Sequence, residues 1–109
     1  MRITNLSQLD KRYNTQYKKR NMSFDYIAPN GQYPKSMEIY QIWSYNTIVG
    51  YYNKTSHYAI FTSHKYSQTT SKQVTMLCNE NNLNRDFIDK TFVNFSAYSD
   101  ILELIDYLK

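Results

Sequence analysis

The sequence predicts an α+β fold: an antiparallel three- to four-stranded sheet, a meander, with helices packed on one face. Three observations lead there. Apolar residues recur on a 3.6-residue period near the start of the chain, after residue 70 and again at the end. The stretch from Ser36 to Asn53 is crowded with β-branched and aromatic residues and free of proline. Finally, 109 residues, 41% of them hydrophobic, suit a single domain spanning 1–109 that buries roughly two-thirds of its unfolded surface.

The first element reads as a helix. Leu6, Leu9, Tyr13 and Tyr17 make one apolar stripe, and Asn5 with Gln8 three residues on can cap its start. Lys11 and Lys18 lie seven apart on one flank with Arg12 and Lys19 beside them, a basic edge ending near Arg20 and Asn21. Phe24 and Tyr26 then alternate as in a strand, and Pro29-Asn30-Gly31 reads as a turn. Ser36–Asn53 is too long for one strand and should break or bulge near Tyr45-Asn46 or Gly50. Asn53-Lys54-Thr55-Ser56 reads as a four-residue hairpin loop, with His57–Ser63 returning as the next strand. Thr70 and Gln73 match a capping box ahead of a helical face of Val74, Leu77 and Cys78, and Asn79–Asn84 is a polar breaker. Asp86–Phe95 fits either a short helix or a strand. Ser99 caps a last helix carrying Ile101, Leu104, Ile105 and Leu108.

Composition excludes several classes. No apolar run approaches the ~18 residues of a membrane span, and MRITNLSQLDKRY lacks the apolar core of a secretory signal. Lone Cys78 reads as a buried, reduced thiol, which places the chain in the cytoplasm. Twelve tyrosines, 11 asparagines and nine lysines against four arginines are what an AT-rich genome encodes. Net charge is +4 but uneven: +5 over residues 1–37, +2 over 38–76 and −3 over 77–109. A basic front and an acidic tail permit two partners or a head-to-tail homodimer, or serve solubility alone.

Little of the chain suits catalysis. His57 and His64 sit seven apart on or after one expected strand, so they face opposite ways and cannot share a site. One cysteine and two histidines supply no zinc set, and Asp100, Glu103 and Asp106 read as the solvated face of the last helix. No cofactor is expected. The segment Tyr66–Lys72 puts four hydroxyls at a strand-to-helix junction flanked by Lys65 and Lys72, where backbone N–H groups can meet an anion or Thr70 can simply cap the helix. Tyr40, Trp43, Tyr45, Tyr51, Tyr52 and Tyr58 serve equally as core, as stacking platforms for nucleic acid or as a protein-binding surface.

The segments Ser44-Tyr45-Asn46-Thr47-Ile48-Val49-Gly50-Tyr51 and Tyr66-Ser67-Gln68-Thr69-Thr70-Ser71-Lys72 together resemble a pattern in small proteins of phages and mobile elements of low-GC Gram-positive bacteria. There the pattern runs S-Y-x-T-x-V-A, a short hairpin, then Y-S-x-T-T-S-K-H. It spans about residues 38–78. Gly50 stands where those proteins carry alanine, and Gln73 where they carry histidine. The resemblance implies context more than chemistry: such proteins often inhibit host machinery, as anti-CRISPR proteins do.

Three readings follow in order. The first is a non-enzymatic inhibitor whose partner is a host defence nuclease such as a CRISPR effector, met through basic and aromatic residues that include Tyr45. The second is a nucleic-acid-binding accessory protein using Lys11, Arg12, Lys18, Lys19 and Arg20. The third is a small-ligand-binding protein using the turn that holds Tyr66, Thr70 and Lys72.

Overall fold

The computed structural model describes residues 2–18, 21–27, 37–92 and 108. They form a seven-stranded mixed sheet whose strands lie in chain order. The strands are β1 (Arg2–Ile3), β2 (Thr15–Tyr17), β3 (Met22–Ile27), β4 (Ile39–Ser44), β5 (Thr47–Asn53), β6 (Tyr58–Thr62) and β7 (Asn84–Ile88). One α-helix is present among the described residues, α1 (Gln68–Glu80). Neighbours from β2 to β6 pair antiparallel, whereas β1 runs parallel to β2 and β7 parallel to β6. This corrects the expected α+β fold with its three- to four-stranded antiparallel meander: the protein is mostly sheet, and a parallel strand closes each edge.

The N-terminal helix is the largest departure. Its capping box forms, with the Asn5 side chain accepting from Ser7 N–H at 3.0 Å and Gln8 Oε1 accepting from Asn5 N–H at 3.2 Å. It closes only a 3-10 turn, Leu6–Gln8. Asp10 then redirects the chain: Oδ1 accepts from Arg12 N–H at 2.9 Å and its carbonyl from Tyr13 N–H at 3.2 Å. Asn5–Tyr17 contains no alanine or glutamate and several residues whose side chains compete for backbone groups, so the apolar spacing alone does not sustain a helix. Leu6, Leu9 and Tyr17 are buried as the stripe requires, but Tyr13 is 51% exposed.

Parallel neighbours need a crossover between them. Residues 4–14 supply one for β1–β2, and α1 supplies the other for β6–β7. Between them the hairpins form where turn chemistry allows. Tyr45-Asn46 joins β4 to β5, and residues 54–57 join β5 to β6. Ile42 faces Gly50 and Trp43 faces Ile48, which leaves Val49 as a bulge. Residues 86–88 of the ambiguous segment fall in β7. The Pro29-Asn30-Gly31 turn, Lys19, Arg20, and the last helix up to its final leucine lie outside the described residues.

Both faces of the sheet are buried, which is why β4 and β5 read as nearly continuous apolar runs. On one face Tyr17, Phe24, Tyr40, Ile42, Tyr52 and Phe61 pack under Val74, Leu77 and Cys78 of α1 and under Leu6 and Leu9. On the other, Ile39, Ile48, Tyr51 and Ile60 pack with Phe92 and Leu108, and Leu108 O accepts from Asn53 Nδ2 at 2.8 Å. The expected one-sided arrangement therefore fails on this second layer. Burial pushes the Cys78 thiol up to about 11, far from the reactive range.

Asn81, which ends α1, gathers the chain. Its Oδ1 accepts from Leu6 N–H at 2.8 Å, and its Nδ2 donates to Leu77 O at 2.8 Å and to the Tyr17 hydroxyl at 3.2 Å. Its carbonyl lies 2.9 Å from His57 Nε2, which must carry a proton there because the carbonyl can only accept. His57 Nδ1 meets the Tyr52 hydroxyl at 2.7 Å. The Tyr17 hydroxyl donates to Glu80 at 2.7 Å, and Glu80 also takes Lys18 Nζ at 3.0 Å.

Two outcomes are expected from this packing. A Cβ at Gly50 would lie 2.4 Å from Ile60 O and 2.7 Å from the Phe61 ring, so Gly50→Ala must displace β6 and should cost about 1–3 kcal/mol in urea unfolding. Burial raises the Tyr17 and Tyr52 phenols to about 12, helped by Glu80 and Glu38 respectively, and raises Tyr40 further. The folded state thus favours the neutral phenols over an unfolded value of about 10. That stability is fully present below pH ~10 and is lost as pH climbs toward about 12. Melting temperatures should fall from pH ~10 upward, together with the appearance of phenolate absorbance. A melting temperature flat to pH 12 would contradict the assignment.

Candidate functional site

Strand direction brings three connections to one end of the sheet: Lys18 and Asn21 between β2 and β3, Tyr45-Asn46 between β4 and β5, and Ser63–Ser67 between β6 and α1. The two motif segments meet here. Ser44 Oγ lies 3.1 Å from Thr70 Oγ1 and donates to Gln73 Oε1 at 2.8 Å, all three side chains being buried. Thr70 is therefore not the cap. Ser67 is, its Oγ accepting from Thr70 N–H at 3.1 Å and donating to Thr70 Oγ1 at 3.1 Å. The Ser67 and Thr70 hydroxyls of the Tyr66–Lys72 turn thus close on one another and on β4 and lock the start of α1 to the sheet. Gln73, at the position of the pattern's histidine, is part of this lock.

Tyr45 stands apart from the other tyrosines. It is 57% exposed, in a two-residue hairpin turn, at φ 55°. A side chain in this left-handed region costs roughly 1 kcal/mol and persists only where its surroundings impose it. Asn21 imposes it: Asn21 O accepts from Tyr45 N–H at 2.6 Å, and Asn21 Nδ2 donates to the Tyr45 hydroxyl at 3.0 Å. The ring is held at the tip of a turn, outside both core clusters. Nothing in the sequence marks Asn21 as its support, because the contact spans 24 residues and depends on the β3–β4 register.

The other expected site residues are dispersed. Lys11 and Arg12 sit in the turn before β2 rather than on a helix edge, and Arg12 grips Asp10 at 2.7 Å and covers the Tyr13 ring at 5.5 Å. Its guanidinium, through that hydrogen bond, holds the Asp10 carboxyl down at about 2. Lys18 pairs with Glu80. Tyr66 is half-buried against the first core cluster and edge-on to His64, with 4.6 Å between ring centroids. Lys72 is exposed on the first turns of α1, where no acidic residue complements the helix dipole. Among the described residues no three His, Cys, Asp or Glu side chains come together to hold a metal ion. None of the described helices is long and apolar enough to cross a membrane.

No family model, curated protein or solved structure matches this chain.

The Ser44–Thr70–Gln73 lock makes a direct prediction. Ser44→Ala strips the buried Gln73 Oε1 of its donor, so urea unfolding should register a loss of about 1–3 kcal/mol. Ser67→Ala removes a cap at the edge of the same cluster and should cost roughly 1 kcal/mol. Equal and negligible effects would show that the cluster does not hold α1.

Proposed function

We propose that this protein is a non-enzymatic phage or mobile-element protein that binds and inhibits a host defence nuclease, with a CRISPR effector as the target class, in the bacterial cytoplasm. One observation carries the reading: the exposed Tyr45 ring, pre-set by Asn21 at a strained turn tip. A large aromatic fixed before binding loses little freedom on docking, and such residues dominate protein–protein affinity. The target class rests on the resemblance of residues 38–78 to small phage proteins.

The nucleic-acid reading draws less support. Arg12 and Lys18 already hold Asp10 and Glu80, so a phosphate would have to displace a carboxylate from each.

The test titrates the protein against guide-loaded CRISPR nucleases of low-GC Gram-positive hosts and reads target cleavage. Cleavage should fall to a stoichiometric end-point for at least one effector. Tyr45→Gly removes the ring and relieves the positive φ; it should melt no lower than the parent yet bind about thirtyfold more weakly. Undiminished inhibition by Tyr45→Gly would displace the docking surface, and an unaffected panel of effectors would end the inhibitor reading.

A further inference from the structure

We infer a second, separate binding site: a cleft of about 270 Å³ between α1 and the β6–β7 edge that takes a small planar molecule bearing an anionic group. It arises because α1 leaves part of β7 uncovered. Phe87 shares a face with Phe61, the two rings standing 5.7 Å apart, yet Phe87 is 54% exposed while Phe61 is completely buried. A ring that size on a sheet face, left beside a helix without being covered by it, forms one wall of a slot. Val49 and Val74 make the floor.

The rim is of opposite character. Thr62 and Ser63 line it from β6 and its end, Ser71 and Thr75 from α1, and His64 and Lys65 from the connecting loop. Among the described residues Lys65 is the charged residue that lines the cleft, and no carboxylate does. The adjoining groove adds Lys72, and the first turn of α1 carries no acidic residue to neutralise its positive end. An apolar slot with an unpaired cation and hydroxyl donors along one rim recognises a flat apolar body with a carboxylate or phosphate at its edge.

The cleft borders the Tyr66–Lys72 turn expected from sequence and shares Thr70 and Ser71 with it, but its apolar wall comes from Phe87, Val49 and Val74, outside that turn. Phe87, the residue that shapes it, lies in the segment that sequence left ambiguous between helix and strand.

Phenyl phosphate is a suitable probe, titrated against the full chain and followed by backbone amide NMR shifts and calorimetry. Shifts should concentrate on residues 62–65, 70–75 and 87. Inorganic phosphate and benzyl alcohol, each carrying half of the chemistry, should bind at least tenfold more weakly. Lys65→Met and Phe87→Ala should each weaken phenyl phosphate about tenfold. Ser71→Trp, at an exposed helix position, should block the cleft without unfolding the protein. The inference fails if millimolar phenyl phosphate shifts nothing, if the shifts lie elsewhere, or if either half-probe binds as well. It also fails if Ser71→Trp, shown to be folded by its amide spectrum, binds like the parent.

Discussion

Asn81 joins three stretches of chain that are remote in sequence. Its side chain takes the Leu6 backbone and the Tyr17 hydroxyl, and its carbonyl takes His57. Those bonds pin the N-terminal crossover, the second strand and the β5–β6 turn to the end of α1. The carboxylate next to it, Glu80, receives the Tyr17 hydroxyl and Lys18. Buried or half-buried polar groups of this kind are costly when unpaired, so the arrangement favours one docking of the helix over neighbouring ones. The N-terminal strand, only two residues long, has few ladder bonds of its own. It depends on this knot for its place.

At the opposite end of α1 the lock is built differently. Ser44, Ser67, Thr70 and Gln73 satisfy one another around the first helical turn. A helix fixed at both ends over the central strands explains why the first core cluster is continuous from Ile3 to Leu83. It also explains the residual slot: α1 is anchored to β4 at its start, and the outermost strand, β7, is left with Phe87 in the open. The proposed ligand cleft thus follows from the fixed path of one helix over a sheet wider than the helix can cover, whereas the exposure of Tyr45 follows from the β4–β5 turn and its support by Asn21.

The two motif segments acquire a physical meaning from this geometry. Ser44 of the first segment and Thr70 of the second meet, with neighbouring Gln73, in the buried contact between β4 and α1. Tyr45 projects from the first of these segments at a turn tip, 57% exposed. Gly50 lies against Ile60 O and the Phe61 ring, closer than any Cβ tolerates. Here the bulge at Val49 and the ring above Gly50 are adjusted to each other.

What the sequence determined on its own was local. The α1 face of Val74, Leu77 and Cys78 and the break at Tyr45-Asn46 appear, and the loop expected at Asn53–Ser56 forms one residue later, at 54–57, because helix periodicity and turn chemistry act over a few residues. Even the Asn5 capping box forms, yet it closes a single 3-10 turn. The tertiary structure decided the rest. Leu6, Leu9, Tyr13 and Tyr17 show a helical spacing, but the buried ones meet α1 and the sheet from an irregular crossover, and pairing with β1 and β3 selects the extended form for Thr15–Tyr17. Asn84–Ile88 has no clean period, since it becomes a strand by pairing parallel to β6 after a 21-residue excursion over residues 63–83. Neither the support of Tyr45 by Asn21 nor the exposure of Phe87 can be read from neighbouring residues, because both follow from how separate elements are placed. Non-local pairing, and burial of both sheet faces rather than one, is information that the pattern along the chain does not hold.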